Sequence, residues 1–106
     1  MGRFVIVAYR PKPGKEEGLA TAVEKHLRVL HSEKLVTEKA ANVMRAADGT
    51  IVEVFEWLSA EAIEKAHVSP AVQALWGEFA AVCEYIPLAS LPVAQQMFAE
   101  FEAVSL

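Results

Sequence analysis

The chain has 106 residues, which is enough for one domain spanning residues 1–106. Its hydrophobic fraction of 54% exceeds the ~45–50% that is usual in soluble domains. The formal net charge of −4 and the lack of a basic stripe exclude an electrostatic nucleic-acid interface, and the single cysteine excludes an intrachain disulfide.

No apolar run in the sequence is long enough to cross a membrane. The run over residues 4–9 is also too short for the core of a signal peptide. One cysteine without a partner fits a reducing compartment. We therefore expect a cytoplasmic protein that has neither a membrane nor a nucleic acid as a partner.

The first half of the chain predicts a strand, a helix and a second strand. Residues 4–9 are apolar on both faces and end at a turn rich in proline and glycine, which predicts a buried strand. Residues 15–34 carry leucine and valine at helical spacing and predict an amphipathic helix. His26 and His31 flank the apolar stripe of this helix, and we interpret both as solvated surface residues. Residues 42–47 predict the second strand.

The middle of the chain predicts a hairpin followed by two helices. Asp48-Gly49 fits a tight turn into a third strand over residues 50–57, because this pair tolerates positive φ angles. Ser59 fits the N-cap of a helix over residues 60–68. Ser69-Pro70 fits the start of the next helix, since proline at the first helical position loses no hydrogen bond.

The last part of the chain predicts an edge strand and a final helix. Residues 85–88 fit a fourth strand, and Pro87 places it at or near an edge because proline cannot donate a ladder hydrogen bond. Pro92 opens the final helix, in which the following residues recur at helical spacing: Val93, Met97, Phe98, Phe101 and Val104.

This element order, β-α-β-β-α-β-α, predicts an α+β fold. Its first six elements are typical of the ferredoxin-like arrangement, a four-stranded antiparallel sheet with both helices on one face. The other face is left bare, although the strand over residues 4–9 is apolar on both sides. Because such a patch is unfavourable in water, we expect a homodimer in which two sheets pack face to face. The final helix is expected to clasp the partner or to cover its own sheet.

A set of short motifs resembles the antibiotic biosynthesis monooxygenase-like family of the dimeric α+β barrel superfamily. The resemblance covers most of the chain in order and length. It is carried by Asp48-Gly49, by the Glu-Val-Phe-Glu-Trp sequence over residues 53–57, by Ser59, by Glu61-Ala62, by His67 and by Ser69-Pro70.

The resemblance implies a pocket in each protomer, between the sheet and the helices. The best-known activity of this family is oxygenation of an aromatic substrate without a metal or flavin cofactor, with the substrate supplying the electrons. The resemblance thus implies a small aromatic or quinol-type ligand and no cofactor. Two alternatives remain open: a non-catalytic dimeric binding or stress-related module with a filled interior, and a haem-binding relative.

His67 is the predicted catalytic residue. It lies one turn beyond Ile63 on the predicted helix, so it can face inward and accept a proton from a phenol or an enol. The alternative interpretation is a partly buried histidine that hydrogen-bonds the backbone near the break at Ser69-Pro70. No spacing of histidines and cysteines in the sequence matches a metal site.

Two carboxylates and one arginine are candidates for a polar group near the ligand. Glu53 and Glu56 lie on opposite faces of the third strand, because side chains alternate along a strand. A carboxylate between apolar neighbours needs a partner, and Arg45 on the adjoining strand is the nearest candidate. The strand register leaves open which of the two it pairs with, and a structural ion pair is the alternative interpretation.

Several aromatic residues are candidates for the wall of a pocket, with packing in the core as the alternative. The predicted ligand-binding residues are Tyr9, Phe55, Trp57 and Trp76, together with Glu53 and Arg45; Phe79 belongs to the same aromatic set. A buried tyrosine hydroxyl needs a hydrogen-bond partner, which makes Tyr9 the most informative of them. Cys83 lies on an apolar stripe and is interpreted as an inert core thiol.

Overall fold

The computed structural model describes residues 1–106 and contains five strands and three helices. The strands are β1 (Arg3–Pro11), β2 (Asn42–Arg45), β3 (Ile51–Trp57), β4 (Cys83–Ile86) and β5 (Glu102–Ala103). The helices are α1 (Glu16–Ser32), α2 (Ala60–Val68) and α3 (Pro70–Val82). The strands form one sheet in the order β4-β1-β3-β2-β5, with every neighbouring pair antiparallel.

The structure confirms the predicted α+β class and the order of elements as far as β4. Ser59 accepts a hydrogen bond from the Ala62 backbone N–H at 3.1 Å and caps α2 as predicted. Ser69 caps α3 in the same way, and Pro70 occupies its first turn. Gly49 has a φ angle of +92°, which explains a glycine in the turn between β2 and β3.

The C-terminal part of the chain differs from the prediction. The expected helix after Pro92 is wrong: a short 3-10 helix ends at Gln95, and the chain then continues without helix to β5. The expected four-stranded sheet is also wrong, because β5 pairs with β2 as a fifth strand. The edge of β2 offers unpaired backbone groups, and pairing with β5 satisfies them. Met97 and Phe98 are almost fully exposed, so no apolar helical stripe forms.

The two faces of the sheet are covered by different parts of the chain. Tyr9, Ile51, Phe55 and Trp57 face the helices and belong to the two core clusters that contain residues of α1 and α3. The opposite face carries a third cluster, in which Ala8, Ala46 and Val52 pack against Leu91 from the segment after β4. The C-terminal segment thus covers one end of this face in place of the expected helix.

The other end of the same face is open. Phe4 is 64% exposed and Ile6 is 50% exposed, and both alternate along β1 with the residues that face the helices. The Lys39 ammonium lies 5.2 Å from the centre of the Phe4 ring, and most of this apolar area is otherwise exposed. None of the helices is both long enough and apolar enough to cross a lipid bilayer.

Candidate functional site

A chain of hydrogen bonds lies buried between the sheet and the helices. The Tyr9 hydroxyl donates to Glu53 Oε1 at 2.6 Å. His26 Nδ1 lies 3.1 Å from Glu53 Oε1 and 3.3 Å from Oε2. Glu53 is fully buried and His26 is 3% exposed, so this carboxylate and this imidazole are held out of water. A buried carboxylate requires such partners, because removing it from water is costly.

The strand register brings the members of this chain together. Val7 of β1 lies opposite Glu53 of β3, and Tyr9 follows two residues later on the same face. His26 lies on the buried stripe of α1 with Leu19, Val23 and Leu30. Helical periodicity points this stripe at the sheet, which places the imidazole over the carboxylate.

The contacts of His26 define its tautomer. Trp76 Nε1 lies 3.3 Å from His26 Nε2, and an indole N–H can only donate. His26 Nε2 is therefore the acceptor, and Nδ1 carries the proton that is donated to Glu53. Glu53 accepts from both His26 and Tyr9, which fits an ionised carboxylate. Burial, and next the charge of Glu53, raise the pKa of Tyr9 far above its ordinary value, so Tyr9 remains a donor.

A cavity of about 310 Å³ lies against this chain of hydrogen bonds. This volume lies at the lower end of the ~300–1,000 Å³ range that is typical of small-molecule sites. His26 contributes the only imidazole to its wall, and the other wall residues are apolar or aromatic. The cavity is lined by Val5, Val7, Tyr9, His26, Phe55, Trp57, Trp76 and Tyr85. The arrangement can hold a small flat molecule beside an imidazole.

The predicted aromatic residues meet at this cavity. Tyr9, Phe55, Trp57 and Trp76 all line it, while Glu53 lies behind Tyr9 and His26. Phe79 is fully buried and stacks on Tyr9 with ring centroids 4.8 Å apart, so it supports the wall from the core.

The predicted role of Arg45 in this site does not agree with the structure. Arg45 is exposed and pairs with Glu102 across the β2–β5 edge. Glu56 pairs with Lys39 at 3.2 Å on the opposite face of the sheet from Glu53. Glu53 instead takes its partners from α1 and β1, because Arg45 lies opposite Ile51 and outside its reach. Arg45 lines a second cavity of about 230 Å³, in which it and Glu16 are the charged side chains.

His67 lies outside the cavity, contrary to its expected inward position. It is exposed, and its Nδ1 lies 2.8 Å from the Ile63 carbonyl oxygen on the same helix. The buried face of α2 is made by Ala62 and Ala66, so the next residue turns toward solvent. The alternative interpretation agrees with the structure only in the hydrogen bond to a backbone carbonyl, because His67 is exposed and Ile63 lies one turn before it, away from Ser69-Pro70. Its ring also meets Trp76 edge-on, with centroids 5.2 Å apart.

His26 is the functional candidate that sequence reasoning missed. We expected it on the solvated surface of the helix, as is confirmed for His31, but it is buried. Two signals in the sequence point to it. Its position continues the apolar spacing of Leu19 and Val23, and Glu53 lies between apolar neighbours and needs a donor.

Other reactive groups are set apart from the cavity. Cys83 is buried, as predicted, and its thiol donates to the Phe79 carbonyl oxygen at 3.3 Å. Burial raises the pKa of the Cys83 thiol, which keeps it protonated and unreactive. No group of three or more histidine, cysteine, aspartate or glutamate side chains lies close enough together to hold a metal ion.

Comparisons with protein-family models, with curated proteins and with solved structures gave no match to this chain.

The raised pKa of Tyr9 predicts a loss of stability at high pH. The folded protein keeps a phenolic proton that the unfolded chain releases above pH ~10, so the stabilisation is complete below that pH and falls as the pH rises. For this one residue the free energy of unfolding falls by ~1.4 kcal/mol per pH unit above ~10. Urea unfolding at pH 9, 10 and 11 should therefore show a steeper decline for the wild type than for Tyr9→Phe.

All other titratable groups are common to the two proteins, so the comparison isolates the contribution of Tyr9. The destabilisation caused by Tyr9→Phe at pH 8 should thus shrink as the pH is raised. Equal pH dependence of the two proteins would contradict a buried Tyr9 that stays protonated.

Proposed function

We propose that this protein is a cofactor-independent monooxygenase-like enzyme that acts on a small quinol-type aromatic molecule. The observation that carries the proposal is one buried imidazole in the wall of an aromatic cavity, with its Nδ1 held by a carboxylate. A quinol hydroxyl in the cavity donates its proton to His26 Nε2. His26 is thus the catalytic base, in place of the residue expected from the sequence.

Glu53 and Tyr9 are the positioning residues of this mechanism. Glu53 fixes the Nδ1–H tautomer and stabilises the imidazolium that forms when Nε2 takes the proton, as buried carboxylates do beside catalytic histidines. Tyr9 donates to Glu53 and keeps its carboxylate oriented toward His26. Preorganised groups of this kind lose no energy to reorientation during the reaction.

The aromatic wall holds the ring of the substrate. Phe55, Trp57 and Trp76 offer flat apolar surfaces that match an aromatic ligand. Removal of the hydroxyl proton raises the electron density of the ring, which then transfers electrons to O₂. The quinol supplies four electrons in total: one oxygen atom enters the product as a hydroxyl group on a quinone, and the other leaves as water.

Oxygen uptake with naphthalene-1,4-diol tests the activity. We expect the protein to raise the rate above the spontaneous oxidation in buffer and to yield 2-hydroxy-1,4-naphthoquinone. With ¹⁸O₂, mass spectrometry should find one labelled oxygen in that product. Unlabelled 1,4-naphthoquinone and hydrogen peroxide at the background rate would overturn the oxygenase proposal and leave a ligand-binding module as the alternative.

The non-catalytic alternative shares the cavity but not the chemistry. Its form with a filled interior finds no support, because a cavity of about 310 Å³ is present. Haem binding finds less support than a small ligand, since the volume of the cavity is at the lower end of the range for small-molecule sites. A haem titration that shifts the Soret band would reverse this preference.

We also propose that the active form is a homodimer closed through the open face of the sheet. Phe4 and Ile6 provide exposed apolar surface on the face of the sheet that carries the third core cluster. A second copy of the same face would cover these side chains symmetrically, and each of them contributes ~1.5–3 kcal/mol when fully buried.

Light scattering of Ile6→Glu tests the dimer. Ile6 is half exposed on the open face. A glutamate at position 6 would place a carboxylate without a partner of opposite charge in the interface between the two copies. We expect the wild type to have twice the 11.6 kDa mass of the chain and Ile6→Glu to have that mass once. Val68→Glu is the control, because Val68 is 79% exposed at the end of α2, away from the sheet. A monomeric wild type would overturn the dimer.

A further inference from the structure

Trp76 bonds to the nitrogen of His26 that a ligand in the cavity would use, Nε2. The His26 ring is surrounded by Phe55 and Phe79, which meet it edge-on with centroids 5.6 and 5.2 Å away, and by Glu53 at Nδ1. Its remaining polar atom, Nε2, is bonded to the indole N–H of Trp76 at 3.3 Å. A hydroxyl group can therefore reach Nε2 only by taking the place of this N–H.

The surroundings of Trp76 allow such an exchange. Trp76 is half-buried on α3, whereas His26 behind it is almost fully buried. The outer side of the indole meets His67, which is itself exposed. Trp76 also packs against the edges of two core clusters. Outward rotation of the indole gives up part of this packing and displaces the exposed His67, but it leaves the Tyr9–Glu53–His26 hydrogen bonds in place.

This exchange discriminates between ligands that carry a donating hydroxyl hydrogen and similar ligands that lack it. An aromatic hydroxyl can donate to His26 Nε2 and so replaces the hydrogen bond that the indole gives up. The corresponding methyl ether has no donor; it either leaves Trp76 in place and gains nothing from Nε2, or leaves Nε2 unpaired at a cost. Sites built around a hydrogen bond discriminate strongly against analogues that lack it.

We propose, on the basis of the proposed function, that Trp76 is the specificity-determining residue of the cavity. It holds His26 Nε2 in the empty protein and yields this position only to an aromatic molecule with a donating hydroxyl group. The substrate class is thereby narrowed to free phenols and quinols, with their ethers excluded.

Nuclear magnetic resonance of the two indole groups tests the exchange in the wild-type protein. Trp57 and Trp76 both line the cavity, so Trp57 reports occupancy and Trp76 reports the exchange. We expect 1-naphthol to shift the Trp76 indole ¹H signal upfield to the position of a weaker hydrogen bond. We expect 1-methoxynaphthalene to shift both indole signals only by the ring current of a bound aromatic ring, without the additional upfield shift of Trp76 that marks the lost hydrogen bond. Trp76→Phe assigns the two signals by removing one of them.

Calorimetric affinities of Trp76→Phe for the same two probes give the second measurement. Without the indole N–H, 1-naphthol meets no competing donor, so its Kd should stay the same or fall. The ether now displaces solvent from Nε2 and leaves that atom unpaired, so its Kd should rise about tenfold. The ratio of the two Kd values should therefore grow about tenfold, whereas a purely structural role would weaken both probes alike.

The possible failures are distinct. Binding of 1-naphthol without movement of the Trp76 signal, or an equal loss of affinity for both probes in Trp76→Phe, overturns the role of Trp76 and leaves the proposed function standing. Absence of binding of either probe to the wild type overturns the ligand class itself, and the role of Trp76 with it.

Discussion

His26→Asn is expected to lower kcat/KM for the quinol about 10²–10⁴-fold, the range that general base catalysis contributes. Asparagine retains a nitrogen at the position of Nδ1, so it can still donate to Glu53, but it has no atom at the position of Nε2. The variant thus removes the proton acceptor and keeps the buried hydrogen bond. Oxygen uptake at saturating and at low quinol concentration gives kcat and KM separately.

His67→Asn is the matched control for this loss. The His67 side chain lies outside the cavity, hydrogen-bonds only to its own helix and meets Trp76 on the outer side of the indole, so the variant should keep kcat/KM within about twofold of the wild type. His26→Asn should remain folded, which a urea unfolding curve checks. Loss of activity in His67→Asn with normal activity in His26→Asn would move the chemistry back to the residue predicted from the sequence.

Glu53→Gln is expected to lower both activity and stability. A carboxamide keeps an acceptor oxygen at the position of Oε1, which both the Tyr9 hydroxyl and the His26 N–H approach, but it places a donor nitrogen at the position of Oε2, 3.3 Å from His26 Nδ1. A donor beside His26 Nδ1 favours the other tautomer, whose Nε2–H would then oppose the indole N–H of Trp76. We expect kcat to fall at least about 10²-fold, by the logic of carboxylates that orient a catalytic histidine.

The same change removes hydrogen bonds to a buried charge, so the free energy of unfolding should fall by ~1.5–3 kcal/mol. The ¹⁵N shifts of the His26 ring should show the change of tautomer. Glu56→Gln is the control: Glu56 pairs with the largely exposed Lys39 on the other face of the sheet, and its loss should cost less than ~1 kcal/mol. An unchanged His26 tautomer in Glu53→Gln would contradict the assignment of the hydrogen bonds.

Local rules in the sequence predicted the frame of the fold well. Ser59, Ser69-Pro70 and Gly49 lie where helix starts and a tight turn require them, and each of these signals depends only on neighbouring residues. The C-terminal segment carried a start signal at Pro92, but this proline begins only a short 3-10 helix. Its apolar spacing allowed a helix, but the free edge of β2 and the exposed sheet face decided its path, and both are products of the folded sheet.

For the same reason, only the aromatic part of the candidate site could be predicted from the sequence. The aromatic residues of β1, β3 and α3 were identified by type and position, because alternation along a strand fixes which side chains share a face. His26, the partner of Glu53, was not identified in this way. His26 and Glu53 are 27 residues apart, and the contact exists only because α1 crosses the sheet at this point. A sequence indicates that a buried charge needs a partner without specifying which one.

The placement of both tryptophans in the cavity wall has a practical consequence. Trp57 and Trp76 are the only tryptophans of the chain, so the whole indole fluorescence of the protein originates beside the ligand. Any molecule that enters changes the polarity around both fluorophores, and an aromatic one quenches them at contact distance. The protein thereby carries an optical reporter of occupancy, and unlabelled compound libraries can be screened for its ligand by emission alone.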